Sequence, residues 1–149
     1  MNDFQSEVKR RIGSIAQDQK LENAAKDFLL ASAAQKYSYN FSWQSRPIIQ
    51  YPQDMVAMQE LIWEVRPDLI IETGIAHGGS LIFSASMLAL LDMTEAIESG
   101  ETLNPILSRR KVIGLDIDIR PHNRAAIESH SMASRIQMIE GSSIDPQIV

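Results

Sequence analysis

The sequence contains no cysteine. That excludes disulfides, thiolate metal sites and a cysteine nucleophile, and it is compatible with a reducing compartment. Histidine is scarce too: His122 and His130 stand eight apart, and neither opens an H-x-D or H-x-E pair. The two histidines and one carboxylate of a non-haem iron site are therefore not legible. Basic charge is in deficit, with 14 Lys and Arg against 19 Asp and Glu, a net charge of −5 and a pI near 5.1. That balance gives no reason to expect nucleic-acid binding through a general electrostatic field, though it leaves room for local basic spots. No apolar run approaches the roughly 20 residues that span a bilayer, and residues 1–7 lack the apolar core of a signal peptide. A cytoplasmic soluble protein with no membrane span is the expectation. At 149 residues, 44% hydrophobic and 22% charged, the chain has the length and composition of one ordinary domain.

What is present centres on Pro67-Asp68-Leu69-Ile70-Ile71-Glu72-Thr73-Gly74-Ile75-Ala76-His77-Gly78-Gly79-Ser80. Leu69, Ile70 and Ile71 form a short apolar run between turn residues, which predicts a strand buried on both faces, as in a parallel sheet. An acid ends that strand and a glycine-rich turn follows. Leu81, Ile82, Ala85, Leu88 and Ala89 then recur at helical spacing, so the turn opens into a helix reaching about residue 91. Such a turn lets a ligand approach the main chain. Unpaired N–H groups at a helix start suit an anion, but Glu72 would meet it as a like charge. A cationic or hydroxyl-rich ligand fits better. The turn lacks the second glycine of G-x-G-x-x-G, and it has Gly79 where a P-loop needs lysine.

The flanking segments predict an α/β order. Val8, Ile12, Ile15 and Ala16, then Leu21, Ala24, Ala25, Phe28, Leu29 and Ala33, give an N-terminal helical arm of two helices or one bent helix. Tyr37, Tyr39, Phe41 and Trp43 alternate, which would put all four on one face of an extended segment, packing or stacking on a ligand. Residues 46–52 read as a loop with two prolines. Met55, Met58, Leu61, Ile62 and Val65 follow on a helix that Arg66-Pro67 stops. Residues 92–110 read as an irregular, polar connection with room for a short helix. Residues 111–115 and 136–139 are further strands, separated by a helix from Pro121. The order βαβαβ is half of a Rossmann-like, doubly wound parallel sheet. The expected division is a helical arm and aromatic loop over 1–50 and a ligand-binding half over 51–149.

In such a sheet ligands lie beyond the carboxyl ends of the strands, where Glu72, Asp116 and Gly141-Ser142 fall. The combination of Glu72-Thr73-Gly74, Gly78-Gly79-Ser80, Gly114-Leu115-Asp116-Ile117-Asp118-Ile119-Arg120 and Glu140-Gly141-Ser142-Ser143 resembles the family labelled cephalosporin hydroxylase, over about residues 40–149. Despite the label, that family has a class I methyltransferase-like fold and includes sugar O-methyltransferases. The resemblance implies S-adenosylmethionine as cofactor and a small-molecule acceptor, a saccharide or another hydroxyl-bearing metabolite. It implies Asp116 for the ribose hydroxyls, with Asp118 as the competing acid. Glu72 would sit near the methionine ammonium, and Ser80 with the helix start near its carboxylate. Ser142 would contact the adenine edge, and His77 faces the ligand or is ordinary surface.

The resemblance singles out no catalytic residue within this chain. The family's metal-binding acids follow later strands, so any Mg2+ would be held through residues the chain does not contain. Those later strands would also pair along the free edge of the first strand. The expectation is a sheet truncated after its third strand, with an edge open to homo-oligomers. The competing functional readings are a non-catalytic nucleotide-binding module and an inactive fragment.

Overall fold

The computed structural model describes residues 3–148 and divides the chain into two compact units, up to residue 37 and from 38 onward. The first holds α1 (Asp3–Ile15) and α2 (Gln19–Ala34). Asp18 caps α2 by accepting the backbone N–H of Leu21 at 3.0 Å, satisfying one of the donors a helix start leaves free. Phe28 meets the edge of Tyr37, with ring centroids 5.8 Å apart. No residue of α1 is buried, and Phe4, Ile12 and Leu30 are exposed.

The second unit opens with a 3-10 turn ending at Tyr39, then β1 (Phe41–Trp43) and β2 (Arg46–Ile48), paired antiparallel. The alternating aromatics thus do not form one extended face: only Phe41 and Trp43 lie in a strand. Residues 46–48, expected as loop, are its partner. Gln44 and Ser45 join the strands with φ of 44° and 68°, the left-handed pair that matches the twist of a hairpin. Neither is glycine, which hides the turn from a sequence reading. Trp43 packs edge-on against Phe83 at 4.9 Å, and its indole N–H donates to Ser86 at 3.1 Å.

There follow α3 (Pro52–Val65), β3 (Leu69–Thr73), α4 (Gly79–Ser99), β4 (Lys111–Asp116), α5 (Pro121–Glu128) and β5 (Ile136–Glu140). The three later strands form a parallel sheet in the order β3-β4-β5. Ile70 pairs with Val112, which pairs with Ile136. These three, with Met138, share one face and pack against a core of Leu81, Ile82, Leu88 and Ile127. Fully burying a side chain such as Leu81, Ile82, Leu88 or Ile127 stabilises the fold by roughly 1.5–3 kcal/mol.

The other face corrects the expectation for the central strand. Leu69 is 47% and Ile71 64% exposed. The main core cluster lies on one face, and β3 is, as its free edge predicts, an edge strand among the described residues.

The helix α4 also runs further than its apolar period, to Ser99, where Gly100 closes it with φ 72°. The polar residues after Leu91 are helical because tertiary ion pairs hold them. Buried Arg110 donates to Asp92 and Glu95 at 2.6 Å each, and buried Arg135 also reaches Asp92. The irregular connection is therefore confined to residues 101–110. Beyond β5 the described chain closes successive turns, with the Asp145 N–H donating to the Ser142 carbonyl and the Ile148 N–H to the Asp145 carbonyl.

Candidate functional site

β3 ends at Thr73 and α4 begins at Gly79, so residues 74–78 make the turn. Gly74 and Gly79 meet different demands there. Gly74 has φ 87°, and a Cβ on it would meet open space, so the demand is conformational. At Gly79 a Cβ would collide with the Pro47 carbonyl and Ile48, because the hairpin backbone lies against the helix start.

The acid ending β4 reaches across to this loop. Asp116 accepts the N–H of Ile75 at 2.6 Å and that of Ala76 at 3.4 Å on one oxygen, and the N–H of Asp118 at 3.2 Å on the other. Burial pushes its pKa up, but the backbone donors of Ile75, Asp118, Ala76 and Ile117 outweigh that and hold it below the usual carboxylate range. Glu72 is held differently. Burial raises its pKa, and the Ser80 hydroxyl, donating to Glu72, only partly offsets this. Two acids at the ends of adjacent strands are thus tuned in opposite directions.

Beside Glu72 opens a cavity of about 320 Å³. Its walls are the glycine loop, the start of α4 with Phe83 and Ser84, the chain from Pro47 to Gln50, and Asp54, Met55 and Met58 of α3. Among the described residues, Glu72 and Asp54 are its two acids, and no lysine or arginine lines it. The surroundings favour a ligand that carries positive charge beside apolar groups.

The sequence-predicted residues divide into two groups. Glu72, Gly74, His77, Gly78, Gly79 and Ser80 line the cavity. Asp116, Asp118, Gly141 and Ser142 do not line it; Asp116 meets the loop through the N–H groups of Ile75 and Ala76. The N–H of Gly141 donates to the Asp116 carbonyl at 2.8 Å, and the Ser142 hydroxyl oxygen accepts from Ile144 at 3.4 Å. No group of three or more His, Asp or Glu side chains converges as a metal site among the described residues.

Sequence reasoning missed the outer frame of the loop. Arg46 donates to the His77 carbonyl from Nε at 3.1 Å and also from Nη2. Buried Asn123, on α5, donates to the Ala76 carbonyl at 2.8 Å. A lone arginine beside a proline and an asparagine inside a short helix carry no motif. Asp54, Met55 and Met58 read as ordinary helix positions.

The sequence model of the family described as "Rhamnosyl O-methyltransferase/CmcI" matches residues 35–149. The chain belongs to that family. Solved structures of CmcI resemble it in fold. One, described with Mg and SAM, is 20% identical over 74% of this chain and 39% of its own, with a TM-score of 0.50. Another, described with SAH, is 20% identical over 68% of this chain and 43% of its own, with a TM-score of 0.46. The chain thus spans about two fifths of the length of these CmcI structures. A search of the curated proteins finds no match. Family membership and the parallel sheet together give a class I methyltransferase-like fold, with the loop after β3 at the carboxyl edge where such folds bind ligands.

Proposed function

We propose that these residues form the S-adenosylmethionine site of a methyltransferase acting on a hydroxyl of a sugar or another small polar molecule. The observation that carries the reading is the cavity beside the glycine loop, with Glu72 and Asp54 in its wall and, among the described residues, no lysine or arginine. S-adenosylmethionine carries an ammonium and a sulfonium, and both gain from a site of that sign. Glu72 would receive the ammonium, and Ser80 with the first N–H groups of α4 the carboxylate. Asp116 would take the ribose hydroxyls on lone pairs left beside its loop contacts. Ser142 and Gly141 would border the base. When bound, the cofactor supplies an electrophilic methyl group.

What the chain contributes is orientation. The loop is fixed from both sides, Met55, Met58 and Phe83 offer an apolar wall, and a hydroxyl acceptor brought in line needs positioning above all. Family membership supports a methyltransferase of this kind. The chain spans about two fifths of the CmcI structures, so both the acceptor and the transfer itself are part of this proposal.

Calorimetric titration of the folded chain with S-adenosylmethionine, S-adenosylhomocysteine and NADH tests the reading. Saturable binding of the first two and none of NADH is expected. NADH binding without either methyl-donor ligand would overturn it.

A further inference from the structure

The loop that lines the cavity is held by its carbonyls as well as by its amides. On one side Asp116 takes the N–H groups of Ile75 and Ala76. On the other the Ala76 carbonyl accepts from Asn123 and the His77 carbonyl from Arg46. Arg46 Nη2 also donates to Asn123 Oδ1 at 3.3 Å, so the two side chains form one unit. Arginine is a donor only and the Ala76 carbonyl an acceptor only, which fixes the orientation of the Asn123 amide. Asn123 is 4% exposed, and both ends of its amide are satisfied within the protein.

The loop needs this restraint. Ala76 has φ 47°, a conformation an L-residue with a side chain adopts only when its surroundings impose it. The guanidinium of Arg46 places Nε and Nη2 on a single carbonyl, which a planar fork can do and a lysine ammonium does less well.

We infer that Arg46 and Asn123 are positioning residues for the ligand site, and that hairpin β1–β2 is part of the binding apparatus. Arg46 leads directly into Pro47–Gln50, which line the cavity, and the Pro47 carbonyl rests where a Cβ of Gly79 would stand. One side chain therefore couples the floor of the cavity, the loop of residues 74–78, to its wall. A shift of the hairpin moves both. Neither residue touches the ligand in this assignment; both act through the carbonyls of Ala76 and His77. The inference rests on the proposed cofactor reading for its effect on binding, and on the loop geometry alone for its effect on the loop.

The test uses the 149-residue chain and two readouts, amide hydrogen exchange at Ile75 and Ala76 and calorimetric titration with S-adenosylhomocysteine. In the unmodified chain these two amides should exchange nearly as slowly as those of β4. Arg46→Gln and Asn123→Ala should speed loop exchange and weaken binding by about tenfold, as expected for a lost hydrogen bond to a charged or buried group. Exchange across β4 should stay unchanged. Arg46→Lys should fall between, keeping a donor but not the fork. Folded variants with unaltered loop exchange and affinity would overturn the inference. Fast exchange of Ile75 and Ala76 in the unmodified chain would overturn it without any variant. If the unmodified chain protects the loop but takes no S-adenosylhomocysteine, the cofactor reading fails while the two residues still hold the loop.

Discussion

The Asp116 carboxylate accepts the backbone N–H of Ile75 at 2.6 Å, so the acid that ends one strand closes the loop that leaves its neighbour. The contact binds the ends of β3 and β4 into one surface before any ligand arrives. A site organised in advance loses less on binding than one that must be ordered. It also means that changes at Asp116 act on the loop and the ligand together.

Asp116→Asn separates the two roles. The amide oxygen can still accept from Ile75, while the charge that favours ribose hydroxyls as donors is gone. S-adenosylhomocysteine affinity should fall by roughly 1–3 kcal/mol, the range for removing one partner of a buried polar contact. Loop exchange should change less than in Asp116→Ala. Equal loss of loop order in both variants, read by amide exchange, would show that the charge itself holds the loop.

Glu72→Gln should stabilise the unliganded protein and weaken its ligand. Burial raises the Glu72 pKa, so folding favours the protonated acid. Its contribution is fully present below the unfolded pKa and is lost as pH rises through the folded one. The variant should flatten the stability–pH curve between those two values and melt higher at neutral pH. The neutral side chain should bind the cationic ligand about tenfold less tightly. Thermal scans across pH, paired with titrations, check both; a lower melting temperature at neutral pH would contradict the burial account.

Asp92 behaves with the opposite sign. Burial pushes its pKa up, but the Ser108 hydroxyl, Arg110 and Arg135 more than offset that and hold the carboxyl below the usual range. Its stabilisation is present above the unfolded pKa and lost as pH falls through the folded one. Asp92→Asn leaves two buried arginines short of a counter-charge and should cost about 3–5 kcal/mol. Urea unfolding measures this, and a cost well under 1 kcal/mol would mean that Glu95 alone suffices.

Gly74→Val should abolish binding while leaving the helices intact, since a β-branched residue resists φ of 87°. Gly74→Asn, which tolerates the left-handed region, should retain more binding. Circular dichroism with titration distinguishes the two; equal binding in both would make the loop a simple turn.

Those expectations draw on two kinds of residue, and only one kind was legible beforehand. Glu72, Gly74, Gly79 and Asp116 are visible because strand, turn and helix lie together in sequence, and an acid after an apolar run marks a strand end. Arg46 and Asn123 are not visible, because each meets the loop across a long separation and neither residue type implies a loop partner. The hairpin was hidden by Gln44 and Ser45, which adopt left-handed conformations usually given to glycine or asparagine. The length of α4 was hidden because Asp92 and Glu95 break its apolar period, and their partners, Arg110 and Arg135, are distant in sequence. The apolar run of β3 suggested cover on two faces, yet the core reaches one.

A crystal structure of the chain with S-adenosylhomocysteine tests the central claim most directly. The ribose hydroxyls should lie at Asp116 and the amino-acid end in the cavity beside Glu72 and Ser80, with the loop of residues 74–78 unmoved. A ligand bound elsewhere, or one whose amino-acid end avoids Glu72, would contradict the account.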